Sequence, residues 1–159
     1  MRFDHHRITK CVDGLDNERG VYYAGFTLSC CVVEIFGDTG IIACADWHIA
    51  SPILTRAVKL LDLRKNGAMR AGSVAAISKA ADHTQSQEWS RYFYDTSLYR
   101  QTDGLLWYNA HNDEDAVLLY ERAENALRCP PERIMRLDAP ELNPYLSQTA
   151  ADNNLVLVP

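Results

Sequence analysis

No run of apolar residues approaches the ~18 to 20 needed to span a bilayer. Arg2, Asp4, His5 and His6 stand directly after Met1, where a signal segment would be apolar. These absences lead to the expectation of a soluble, cytoplasmic protein. Basic residues are not in excess either: 16 Lys and Arg against 21 Asp and Glu leave a formal net charge of −5. A nucleic-acid binder needs a basic stripe to neutralise phosphates, so direct binding of nucleic acid is set aside, although local cations could still hold one small anion. The five cysteines, Cys11, Cys30, Cys31, Cys44 and Cys129, are odd in number and show no CxxC spacing. That excludes a disulfide framework and a zinc site from the reading, and leaves reduced, mostly buried thiols. GxGxxG, Walker, GxSxG and HExxH patterns are all missing, so any site must be assembled from residues distant in sequence.

What is present suits one domain over residues 1–159. The chain is long enough for a single core, and 47% of it is hydrophobic. "GVYYAG" places aromatic and β-branched residues between glycines, which predicts a strand ending at Gly25. Thr27 then caps a helix over Leu28 to Phe36 that Gly37 stops. "IASPILTRAVKLLDL" reads as one or two strands interrupted at Pro52. "SQEWSRYFYDTSLY" has helical spacing in Trp89, Phe93 and Leu98, with Ser86 as cap. "GLLWYNA", "AVLLYER" and "RIMRLDA" read as strands, followed by a helix after Pro140 and a last strand "NLVLVP". Strands with unevenly spaced helices predict an α+β fold.

Several residues admit two readings. Glu34 falls beside Cys30 and Cys31 on the flank of a buried helical stripe, as an exposed edge residue or as a site carboxylate. Tyr22 and Tyr23 are adjacent in a strand, so one ring faces each side. Ser90, beside Trp89, either bonds back to its own helix or orients a catalytic group. His5 and His6 are expected to be exposed without a metal, and Asp113, Glu114 and Asp115 to form a solvated turn without a role.

Together "RGVYYAGFTLSCCVVEIFGD", "LLDL" at Leu60 to Leu63, "EWSRYFYD" from Glu88, "DGLLWYNAHND" from Asp103 and "AVLLYER" from Ala116 resemble a RES domain over about Arg2 to Asp138. The resemblance implies an ADP-ribosyltransferase-like fold, a mixed β-sheet core with flanking helices. It implies a toxin of a bacterial toxin-antitoxin pair that consumes NAD as substrate, with no true cofactor and no metal. The nicotinamide-ribose bond would be cleaved by hydrolysis or phosphorolysis, and the partner would be a cognate antitoxin protein. Carried onto this sequence, it implies catalytic roles for Glu34, Ser90 and Tyr22, and ligand binding by Arg2, Tyr22 and Ser90, with Arg19 in reserve as a second cation. Members carry an upstream strand with an arginine, which leads to the expectation that this chain lacks its first strand. Transfer of ADP-ribose to a protein, and a degenerate domain that only binds, are the alternatives.

Overall fold

The computed structural model describes residues 1–7, 16–80 and 82–158. Its central sheet has four strands in the order β1 (Val21–Gly25), β7 (Asp115–Tyr120), β6 (Gly104–Tyr108) and β5 (Leu60–Asp62). The first two pairings are antiparallel and the last is parallel, so the sheet is mixed and the fold α+β. Strand alternation sorts the side chains by face. Val21 and Tyr23 lie with Leu118 and Tyr120, opposite Tyr22 and Ala24 with Val117 and Leu119.

The Tyr23 face is covered by α3 (His83–Asp95) and by the amino-terminal segment. Phe3, Phe93, Leu105, Trp107 and Leu118 bury there, with Phe3 set edge-on to Trp107 at 5.0 Å. A second apolar cluster joins β2 (Ile41–Ala43), which pairs in parallel with β10 (Val156–Val158), to α4 (Asn143–Asp152) through Ile42, Leu137, Leu146 and Ala150. Helix α1 (Leu28–Phe36) belongs to both: Cys30 enters the first cluster, Val32 and Phe36 the second. Two short ribbons, β3 (His48–Ala50) with β9 (Ile134–Arg136) and β4 (Ile53–Leu54) with β8 (Leu127–Arg128), complete the sheets. They face a cleft of about 1150 Å3 lined by Tyr22, Val117, Leu119, Leu54 and Met135.

Several expectations change. The stretch around Pro52 makes three short strands, β3, β4 and β5, in three different sheets, because the chain breaks again before Leu60. Helix α3 starts earlier than Ser86: Asp82 caps it by accepting the Thr84 amide at 2.9 Å, while buried Ser86 donates to the His83 carbonyl. Leu98 lies beyond the helix and is exposed. His5 is completely buried, since its ring fits between Tyr94 and Tyr120 and its Nε2 reaches Glu121 at 3.1 Å. Cys30 and Cys44 are buried, Cys31 is half-buried and Cys129 is exposed, all as free thiols; Cys11 lies outside the described residues. Among the described residues no helix is long and apolar enough to cross a membrane, and no group of His, Cys, Asp or Glu could hold a metal ion. Residues 1–7 form no strand.

Candidate active site

Helix α1 carries the site, and both its ends are bolted down. Thr27 Oγ1 accepts the Cys30 amide at 3.0 Å as cap and donates to the Glu114 carboxylate. Asn112 donates to Ser29 Oγ at 3.2 Å, and buried Asn109 donates to the Cys30 carbonyl at 3.2 Å. At the far end His111 packs on Gly37, where an added Cβ would stand 2.6 Å from His111 Nδ1. Gly25 is as confined, since a Cβ there would stand 2.8 Å from Cys30 Sγ. The β6–β7 turn therefore clamps α1 along its length. Its acidic trio, expected to be a solvated turn without a role, is divided in three: Asp113 takes the left-handed turn at φ 57°, Glu114 holds the cap, and Asp115 begins β7 and pairs with Arg64 at 2.7 Å.

The clamp presents Glu34, half-buried, on the flank between Cys30 and Ile35. It borders a hollow of about 600 Å3 that Met1, Ile35, Phe36, Ile41 and Trp47 also line. Burial pushes its carboxyl above the ordinary range, with Arg2 and His111 opposing that shift and Asp38 adding to it. Arg2 reaches the same region from the amino-terminal segment, which is held from three sides. Its guanidinium donates to the Ala80 carbonyl, Tyr23 Oη accepts the Phe3 amide and donates to Asp4, each at 2.9 Å, and Ser90 Oγ donates to the Phe3 carbonyl at 2.6 Å. Burial and the Asp4 carboxylate push the Tyr23 phenol far up, so it stays neutral. Burial also pushes the Cys30 thiol up to about 12 and raises that of Cys31, so neither thiol beside Glu34 is a ready thiolate.

The four residues expected in the site are thus not all together. Arg2 and Glu34 are within electrostatic reach of each other. Ser90, completely buried, touches Phe3 and Tyr120 and acts on Arg2 one residue away through the backbone. Tyr22 lies on the opposite sheet face, 38% exposed, near Cys31 and Cys129. Its neighbour Tyr23 takes the place beside Phe3 and Asp4, within electrostatic reach of Glu34. Arg19 is committed elsewhere, to Asp95 at 2.6 Å and to the Tyr94 ring at 4.6 Å. His83 lies within electrostatic reach of Arg2 and Asp38, and His111 of Glu34; the sequence singled out neither.

Glu34 is thus a half-buried carboxylate on a clamped helix, with the Arg2 guanidinium within electrostatic reach. The model of the RES domain family matches residues 1–142, and the chain belongs to that family. No curated protein and no solved structure matches it.

Proposed function

We propose that this RES domain consumes NAD, breaking the bond between nicotinamide and C1′ of the ribose, and that it acts as a toxin restrained by a separate antitoxin protein. The observation that carries the proposal is Glu34, held half-buried on a clamped helix with Arg2 within electrostatic reach. As the bond breaks, its electron pair leaves with nicotinamide and positive charge grows on the sugar, so a fixed carboxylate stabilises the transition state more than the ground state. A water or phosphate oxygen then attacks C1′, and a water molecule sheds its proton to solvent. Arg2 meets the pyrophosphate, for which a planar guanidinium offers paired donors. Tyr23 and Ser90 hydrogen-bond the Phe3 backbone next to Arg2, which supports reading them as positioning residues. The ADP-ribosyltransferase-like fold that the family resemblance implies suits this chemistry.

The test is incubation of purified protein with NAD, with and without phosphate, followed by chromatography of the products. Free nicotinamide with ADP-ribose, or with its 1″-phosphate when phosphate is present, is the expected result. Intact NAD after prolonged incubation with folded protein would reject NAD cleavage. In cells, induction without the antitoxin should lower NAD and arrest growth; arrest at constant NAD would instead favour modification of a protein target.

A further inference from the structure

The hollow of about 600 Å3 that Glu34 borders has one charged side chain in its wall, the Glu34 carboxylate, among Ile35, Phe36, Thr39, Ile41 and Trp47. Met1 also lines it, with its amino group paired to Asp4. No hydrogen bond or ion pair joins the Glu34 carboxylate to another of the described residues, so its charge is open to a ligand. Trp47 stands in the same wall and is 45% exposed, although its backbone is pinned on both sides. Its amide donates to the Cys44 carbonyl at 3.3 Å, and its carbonyl accepts the Leu137 amide at 2.8 Å. Phe36, itself buried, supports the indole at 5.4 Å with the two planes 73° apart, so it meets at most one of the two indole faces. Ile35 and Ile41 are exposed around the same hollow. A large aromatic ring is thus held open, in a fixed frame, in one cavity with an uncommitted carboxylate.

Such a cavity matches one ligand chemistry, a flat aromatic ring that carries a positive charge. Apolar walls take the ring, while the indole quadrupole and the carboxylate take the charge. A neutral ring leaves the carboxylate unanswered, and an anion is repelled by it. We infer that Trp47 is the platform for a cationic heteroaromatic ring, the pyridinium of NAD, and that it makes the site select the charged, oxidised ring over a neutral one. This role rests on the NAD reading of the site, which does not otherwise use Trp47. The pyridinium nitrogen is bonded to C1′, so the group that answers charge on the sugar and the group that holds the ring have to border one cavity, as Glu34 and Trp47 do. When that bond breaks, its electron pair stays on the ring nitrogen and nicotinamide becomes neutral. The attraction to the indole is lost at that moment, so the platform holds substrate and lets product go.

Two fragments isolate the ring from the rest of the substrate: 1-methylnicotinamide, which carries the positive charge, and nicotinamide, which has nearly the same shape without it. Ligand-observed NMR titrations of the full chain give both affinities. Wild type should bind the cation more tightly than the neutral ring. Trp47→Leu keeps apolar bulk but removes the quadrupole, and should shrink that preference by about two-fold to thirty-fold, the span of a cation–π contact. Trp47→Phe, with a weaker ring, should shrink it by less. A melting curve for each variant verifies its fold, and Trp47→Phe supplies the answer if Trp47→Leu fails to fold. Equal affinities for the two fragments in wild type, or a preference unchanged in a folded Trp47 variant, would overturn the proposal. NAD turnover measured on the same samples separates the two readings. Turnover without a preference for the cation rejects only the platform, and the preference without turnover rejects only the cleavage.

Discussion

Ser90 and Phe3 are joined by a hydrogen bond buried at both ends: the hydroxyl donates to the carbonyl at 2.6 Å, and both residues are fully excluded from solvent. The bond ties α3 to the residue after Arg2. Its loss leaves a buried carbonyl without that donor, which costs about 1 to 3 kcal/mol. Ser90→Ala should therefore lower the urea midpoint and raise KM for NAD more than it lowers kcat. A fall in kcat as large as that of a Glu34 variant, with KM unchanged, would show that the hydroxyl touches the reacting atoms.

Glu34→Gln should uncouple activity from stability. The ionised carboxyl is disfavoured by burial, so its folded pKa lies above the unfolded value. Such a group adds stability that is fully present below the unfolded pKa and is lost as pH rises through the folded pKa. At pH 7 the neutral amide should thus be more stable than wild type, while turnover falls on the order of 10²-fold or more. Urea melts at pH 7 beside initial rates decide it; wild-type rate in a folded variant removes Glu34 from the mechanism. For the wild type, the acid limb of kcat/KM, which reports the free enzyme, should lie above the ~4.3 of an ordinary glutamate.

The two adjacent tyrosines should separate cleanly. Tyr23→Phe removes the acceptor of the Phe3 amide and the donor to Asp4, so both stability and NAD affinity should fall. Tyr22→Phe removes a hydroxyl from a residue on the opposite face and should change neither. Comparable losses in both variants would place the NAD path across both faces of β1.

Much of this architecture was legible in local chemistry. Thr27, Leu28 to Phe36 and Gly37 define α1 as the sequence predicted, because cap, apolar stripe and stop all act within one short local segment. Glu34 was legible as the odd carboxylate on that stripe. Tyr22 and Tyr23 could not be told apart, since alternation says that they diverge without saying which face receives the amino-terminal segment. Ser90 drew attention correctly as a buried hydroxyl, but its partner is 87 residues away and is a backbone carbonyl, which no side-chain pattern reveals. His5 looked exposed beside His6 for the same reason: its burial depends on Tyr94 and Tyr120, brought together by tertiary packing.

That buried histidine carries a pH dependence of its own. Burial lowers the His5 pKa more than its bond to Glu121 raises it. The unfolded chain therefore binds the extra proton first, and stability is full above about pH 6.5, the unfolded value, and declines as pH falls through the folded one. Urea midpoints measured from about pH 7.5 down to about pH 5 should drop in wild type. His5→Phe should flatten that slope, and an unchanged slope would assign it to other groups.

Helix α1 is shared property. Its Cys30 side is set in the packing under the four-stranded sheet, and its Val32 and Phe36 side in the packing of β2, β10 and α4. The carboxylate thus rides on a beam whose two supports stand on separate foundations, and a small settling of either one tilts it. Substitutions far from Glu34, at Leu146 or at Phe93, will act on the chemistry through this beam even where they leave the other foundation whole.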